Sequence, residues 1–132
     1  MSPVAAAARL YEGFVPGRHL IDAYGGGGFR FADMSHRGSI LALPSGIMAW
    51  DVRGPADFTV EAFAPVLAEA EVIDTLLIGT GLEPAPLPEA LRSRLREARI
   101  GIDAMQTGAA VRTYNILAAE NRRVAAALVA VG

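Results

Sequence analysis

Cysteine and lysine are both absent from this sequence of 132 residues, and each absence excludes several kinds of chemistry. Without cysteine there is no thiol nucleophile, no disulfide and no cysteine-ligated zinc or iron–sulfur site. Because all 12 basic residues are arginine, a P-loop lysine, a Schiff-base lysine and a lysine general base are excluded as well. Few side chains remain for acid–base or covalent work, so the sequence favours a non-catalytic protein over an enzyme.

Long apolar runs and a surplus of positive charge are also missing. The longest apolar run, VAAALVAV at 124–131, is far shorter than a membrane span. A net charge of −2 argues against nucleic acid as the main partner, because binding to phosphates needs a basic surplus. The first 17 residues lack the pattern of a secretory signal, so we expect a cytoplasmic protein. The mean hydropathy of +0.33 is compatible with a homodimer, although no segment specifies its interface.

The length of the chain suits one domain. Breakers such as Pro3, Pro16 and Gly17 predict an irregular lead-in over residues 1–18, followed by a single α/β domain over 19–132. The first half alternates between apolar and polar residues, and PSG at 44–46 has the composition of a hairpin turn. These patterns predict an N-terminal β meander with strands at about 19–24, 28–33, 38–43 and 46–53.

The second half alternates between strand and helix patterns. Asp57 is the expected N-cap of a helix that Pro65 kinks or shortens. The nearly unbroken apolar run at 72–79 predicts a strand covered on both faces. A second helix begins near Pro88, a short strand follows at 100–106, and Thr107 is expected to cap a third helix.

The end of that third helix is ambiguous, because the alanine-rich segment after it fits either a longer helix or a strand. We predict that the helix stops at Asn121, since asparagine tolerates the left-handed conformation that ends helices. The last residues then form a buried final strand. A strand–helix–strand order predicts a parallel pair of strands joined by a right-handed crossover, with helices covering the sheet.

Glycines and polar residues follow the two predicted parallel strands. If these strands are adjacent, their carboxyl ends meet at one edge, where open α/β sheets bind ligands. Small residues also leave the start of the third helix uncluttered, and free N–H groups there attract anions. We therefore predict an anion- or ligand-binding crevice, with no metal and no cofactor, lined by Gly79, Thr80, Gly81, Thr107, Gly108, Arg112, Tyr114 and Asn115.

A structural role is the alternative for the same residues, and the sequence favours it. The dinucleotide fingerprint lacks its third glycine, because Pro84 stands in its place, and the P-loop lacks its lysine. The glycines then turn the chain, and small residues let a helix lie close to the sheet. Asp74 is the one plausible base, and it either bonds a hydroxyl or an arginine or faces solvent. The four glycines at 25–28 form either an anion-binding nest or a simple loop.

The order of motifs resembles a family of small domains that includes the mitochondrial assembly factor 3 of respiratory complex I and bacterial and archaeal relatives. The resemblance lies in LLIGTG (76–81), GGGGFRF (25–31), HRGSILALP (36–44) and AVRTYNIL (110–117), and it covers about residues 20–130. It implies a three-layer fold around a mixed five-stranded sheet whose last strand is antiparallel to its neighbours. The family commonly has glycine where this chain has Asn121.

The resemblance also implies a function, since the mitochondrial relatives are not enzymes but bind another assembly factor and complex I subunits. The first hypothesis is therefore a non-catalytic protein-interaction domain, an assembly factor for a respiratory membrane complex. Its partners would be subunits or assembly factors of that complex. The alternative is a small-molecule- or anion-binding domain, or an enzyme, that uses the crevice at the strand ends with Arg112 holding the anion.

Overall fold

A computed structural model describes residues 13–132 and shows an α/β domain built on one mixed sheet. The strands are β1 (Phe14–Pro16), β2 (Ala23–Gly25), β3 (Gly28–Phe31), β4 (Met34–Arg37), β5 (Ser39–Leu43), β6 (Gly46–Trp50), β7 (Thr75–Gly79), β8 (Gly101–Met105) and β9 (Val124–Leu128). Six of these strands form the central sheet in the order β1-β6-β5-β9-β7-β8, and a separate antiparallel sheet contains β2, β3 and β4. The helices in this part of the chain are α1 (Ala64–Ala68), α2 (Glu89–Glu97) and α3 (Thr107–Ala119).

The three layers follow from side chains that alternate across the central sheet. In β7, Leu76 and Ile78 pack against the layer of α1, α2 and the short 3-10 turns before them, while Leu77 points to the opposite face. That opposite face is covered by α3 and by the small β2–β4 sheet. Because both faces are covered, the apolar run at 72–79 is confirmed as a doubly buried strand, although the strand itself begins at Thr75.

The central sheet has one strand more than expected. The sixth strand is Phe14–Pro16, which pairs antiparallel with β6 at the edge, so this part of the predicted irregular lead-in is a strand. The rest of that lead-in, residues 1–12, lies outside the described part of the chain. The meander is present but divided: β2, β3 and β4 form the small sheet, while β5 and β6 join the central sheet through the predicted Pro44–Ser45 hairpin.

The predicted end of the third helix is confirmed. Asn121 has φ of 62°, the left-handed conformation that stops α3, and its N–H donates to the carbonyl oxygen of Ala118 at 3.0 Å. The chain then enters β9, whose five residues are all buried. The expected orientation of β9 was wrong for one neighbour, because β9 is antiparallel to β5 but parallel to β7.

The helix expected from Asp57 was also wrong. Residues 55–57, 61–63 and 70–72 form separate 3-10 turns, and only Ala64–Ala68 is α-helical, with Pro65 in its first turn. Asp57 caps no helix; its carboxylate accepts a hydrogen bond from the Arg53 N–H at 2.9 Å. Within residues 13–132, no helix combines the length and the apolar character needed to cross a bilayer.

Candidate functional site

The two parallel strands end at a common edge, as the sequence predicted. β7 and β8 pair in parallel with Gly79 opposite Met105, and α3 begins two residues after Met105. At this edge the sheet and the helix are in direct contact. A Cβ added to Gly79 would lie only 2.9 Å from the Cα of Thr107, so the approach leaves no space for a side chain. We call this region, residues 79–81 and 105–108, the rim.

Hydroxyl groups at the rim bind the backbone. The hydroxyl of Thr107 donates to the carbonyl oxygen of Val129 at 2.8 Å and accepts a hydrogen bond from the Gly81 N–H at 3.0 Å. The Thr107 N–H donates to the Gly81 carbonyl oxygen at 2.8 Å. Thr107 therefore connects the start of α3 to the turn at Gly81 and to the segment after β9 at Val129. The expected cap role was wrong, because Gln106 is the N-cap and Thr107 is the first residue of the helix.

Thr80 has a similar role in the turn after β7. Its hydroxyl is within hydrogen-bonding distance of the Glu83 carbonyl oxygen at 2.6 Å and the Met105 carbonyl oxygen at 3.1 Å. Its N–H also donates to the Met105 carbonyl oxygen, at 2.8 Å. Both threonines at the rim are buried, and their hydrogen bonds hold the turn against the sheet. These contacts fit the structural interpretation of the IGTG motif.

A tyrosine from the small sheet covers the start of α3. Gly108 lies so close to Tyr24 that an added Cβ would overlap with the phenol oxygen of that side chain. Sequence reasoning missed Tyr24, although its position before four glycines at a predicted strand end was the available signal. The phenol reduces the space beside the N-terminal turn of α3, where an anion was expected.

The three predicted site residues farther along α3 face different directions. Arg112 is exposed, whereas Tyr114 is buried and its hydroxyl contacts the His19 carbonyl oxygen at 3.4 Å. Burial raises the pKa of the Tyr114 phenol, and the positive charge of Arg18 opposes that rise. Asn115 bonds both backbone groups of Ile21, at 2.8 Å each. Tyr114 and Asn115 therefore hold the segment before β2 in place, while ligand binding by the remaining residues stays a prediction.

Asp74 is not the base that the alternative function required. It lies immediately before β7, at the opposite end of that strand from Gly79, and its side chain is 68% exposed. One carboxylate oxygen lies 3.6 Å from Nε of Arg123. The sequence left open whether Asp74 bonds an arginine or faces solvent. In the structure it does both, and the arginine is Arg123. Trp50 is buried, packs against Phe58 and Phe63, and donates to the Ala62 carbonyl oxygen at 2.7 Å.

The four glycines form the hairpin between β2 and β3. Gly26 and Gly27 both have positive φ, of 60° and 85°, which the tight two-residue turn requires. The Gly27 N–H donates to the Val131 carbonyl oxygen at 2.8 Å, and the Gly27 carbonyl oxygen accepts from the Gly38 N–H at 2.7 Å. This loop is consequently fixed to the end of the chain and to the segment after β4.

The exposed side of α3 carries a mixed stripe of side chains. Gly108, Arg112 and Ile116 are spaced four residues apart, so they lie along one face of the helix, and the Tyr24 ring covers the glycine. Ile116 is 60% exposed, and Leu20 is also exposed next to Ile21, the residue bonded to Asn115. We call the set formed by Leu20, Tyr24, Arg112 and Ile116 the α3 face.

This chain has the architecture of a three-layer α/β domain, as shown by its layer order, its mixed sheet and its packed rim. Residues 21–129 match the family described as Protein of unknown function (DUF498/DUF598), and the chain belongs to this family. The chain is 38% identical over 108 residues to an uncharacterised protein of Rhodobacter capsulatus, with 82% of each chain covered. A solved structure described as an outer membrane protein from Bartonella henselae has 61% identity and a TM-score of 0.86, covering 89% of this chain and 98% of that one.

The resemblance to complex I assembly factors is confirmed. The chain is 33% identical over 115 residues to NADH dehydrogenase (ubiquinone) 1 alpha subcomplex assembly factor 3 of Drosophila melanogaster. The alignment covers 83% of this chain but 58% of the fly protein, so the chain spans less than two thirds of that relative's length.

Proposed function

We propose that this chain is a protein-interaction domain that acts as an assembly factor for a respiratory membrane complex. The observation that carries the proposal is the 33% identity to the fly complex I assembly factor 3, which extends over 83% of this chain. The contacts at the rim support the same choice over the enzyme alternative, because the threonine hydroxyls there are bonded to backbone groups.

The α3 face is the surface that we assign to the partner. Tyrosine and arginine are among the residue types that most often dominate binding energy at interfaces, and the α3 face combines both with exposed aliphatic side chains. Its backbone is well supported, because Asn115 and Tyr114 fasten the Leu20 segment to the helix. A preorganised surface of this kind loses little conformational entropy when a partner binds.

Affinity purification from the source organism tests this proposal. The chain and its Ile116→Glu variant serve as bait, and bound proteins are quantified by mass spectrometry. We expect subunits or assembly factors of the respiratory complex to be enriched with the unchanged bait and depleted with Ile116→Glu, because a charge placed in an apolar contact opposes binding. Val72→Glu is the matched control, since Val72 is another exposed apolar residue, in the 3-10 turn at 70–72.

A deletion strain provides the second arm. If the proposal is right, loss of the gene lowers the amount of fully assembled complex on native gels, and the Val72→Glu variant restores it while Ile116→Glu does not. Normal assembly in the deletion strain, or equal enrichment with both baits, contradicts the proposal. Fractionation of the unmodified strain and size-exclusion chromatography of the purified protein test the predictions of a cytoplasmic location and of a homodimer.

A further inference from the structure

The outer face of the small sheet carries two arginines next to each other. In the register of β3 and β4, Arg30 lies opposite Ser35 and Gly28 lies opposite Arg37. Residues two apart in a strand share a face, so Arg30, Ser35 and Arg37 all project from the same side, with the two arginines as diagonal neighbours. Diagonal neighbours in an antiparallel sheet are about 7–8 Å apart, which keeps both guanidinium groups within reach of one small ligand.

Neither arginine has a carboxylate partner among residues 13–132. The ion pairs in this part of the chain join Arg122 to Glu120 and Arg123 to Asp74. The Asp22 N–H donates to the Arg30 carbonyl oxygen at 2.8 Å, and Asp33 follows shortly after β3. Neither aspartate forms an ion pair with Arg30 or Arg37, and neither lines the cleft between the arginines. Two neighbouring cations that no ion pair neutralises repel each other, and a bound anion would reduce this repulsion.

Small residues form most of the floor between the arginines, and Tyr24, Phe29 and His36 complete the lining of the cleft. Gly25 and Gly28 face each other across β2 and β3, and Ala23 lies opposite Arg30. The result is an open cleft of about 390 Å³, a volume typical of small-molecule sites. The cleft is also held in shape, because the Gly27 backbone is bonded on one side to Val131 and on the other to Gly38.

We propose that this cleft binds the phosphate group of a small phosphate ester. Arg30 and Arg37 donate to the phosphate oxygens through their planar forks, which match the geometry of a dianion with several acceptors. The Ser35 hydroxyl lies on the same face and supplies a further donor. The rest of the ester lies over the floor at Gly25 and Gly28. Tyr24, which belongs to the α3 face, also lines this cleft, but the site does not rest on the proposed assembly function.

Titration followed by amide and arginine side-chain NMR signals tests the proposal. Inorganic phosphate, glycerol phosphate and adenosine monophosphate are added at constant ionic strength, so that general screening does not change. We expect saturable shifts of the 25–28 amides, of Ser35 and of the Arg30 and Arg37 side chains, with a dissociation constant below about 1 mM for at least one ester. Arg30→Gln and Arg37→Gln each weaken binding about tenfold, as expected for one lost charge-assisted hydrogen bond.

The control is Arg92→Gln, which removes an exposed arginine from α2 and leaves the affinity unchanged. Ser35→Ala is a milder variant that keeps both charges and weakens binding by a smaller factor. Vesicles of phosphatidylcholine with and without phosphatidylglycerol distinguish a lipid headgroup from a soluble ester. The proposal is overturned if the shifts do not saturate and are equally large at Arg92. It is also overturned if the shifts are confined to residues 107–112, or if the protein binds vesicles but none of the soluble phosphates.

Discussion

Asn115 forms two hydrogen bonds with Ile21, accepting from its N–H and donating to its carbonyl oxygen, each at 2.8 Å. A single side chain thereby replaces the strand partner that the Ile21 backbone lacks, and it fastens the segment before β2 to α3. The buried Ile21 side chain joins the core between α3 and the small sheet. The position of the small sheet over the central sheet depends in part on this pair.

Replacing Asn115 with alanine should therefore lower the free energy of unfolding by about 2 kcal/mol, since two net hydrogen bonds are lost. Urea unfolding measures this change. Hydrogen exchange at the Ile21 amide should become faster at the same time. Ile116→Ala, at the exposed next position, is the control and should change stability by less than about 0.5 kcal/mol. If Asn115→Ala keeps the free energy of unfolding and the slow Ile21 amide exchange of the unchanged protein, Asn115 does not fasten this segment to α3.

Gly79 and Gly108 should respond differently to alanine. At Gly79 the new methyl group would meet the Thr107 backbone at 2.9 Å and the Leu128 side chain at 3.1 Å, and neither can move easily. We expect Gly79→Ala to cost about 1–3 kcal/mol in thermal or urea unfolding, as overpacking does.

At Gly108 the methyl group would meet the free end of the partly exposed Tyr24 side chain, which can rotate away. Alanine also favours the helix over glycine by up to about 1 kcal/mol. Gly108→Ala should consequently be neutral or stabilising, with a changed environment for Tyr24. A loss of stability equal to that of Gly79→Ala would show that Tyr24 is held rigidly over the helix start.

The left-handed conformation of Asn121 predicts the effect of two further substitutions. Asn121→Val should destabilise the protein by about 1–2 kcal/mol, because a β-branched side chain is strained at positive φ. Asn121→Gly should change stability by less than about 1 kcal/mol. The control is Glu120→Val, one residue earlier, where φ is −86° and valine fits without such strain. Similar losses for valine at both positions in urea unfolding would refute this explanation.

The pH dependence of stability should include a contribution from His36. Burial lowers the pKa of His36 below 6.5, and a hydrogen bond with the Ser39 backbone partly opposes this shift. The unfolded chain then binds a proton at higher pH than the folded protein does. Stability from this group is complete above about pH 6.5 and is lost as the pH falls through the lower folded-state pKa. Urea unfolding at several pH values tests this. Below pH 6.5 the free energy of unfolding should fall less steeply for His36→Gln than for the unchanged protein, and equal slopes would exclude His36 as the cause.

Local signals predicted much of the second half of the chain. The apolar run at 72–79 indicated a strand buried on both sides, and Asn121 indicated where α3 stops. Both predictions succeeded because each depends on a property of the residues themselves, side-chain polarity in one case and tolerance of positive φ in the other. The parallel pair followed from the strand–helix–strand order, and its common rim follows because parallel neighbours end at the same edge.

The candidate site was less predictable from the sequence. The glycines and threonines of the rim do lie together, but the directions of their hydroxyl groups depend on carbonyl oxygens of Val129, Glu83 and Met105. Tyr114 and Asn115 were assigned to a crevice because they are polar and near Arg112 in the sequence. Their actual partners, His19 and Ile21, are more than 90 residues away along the chain.

The sequence alone determined the fold class, the excluded chemistries and the end of α3, because composition and backbone preference act locally. Only the tertiary structure decided that the meander divides into two sheets, that Tyr24 covers the start of α3, and that Arg30 and Arg37 share one glycine-containing cleft. These three features depend on which distant strands pair and in which register. Register is a property of the whole packed chain, set by the burial of all its apolar faces together.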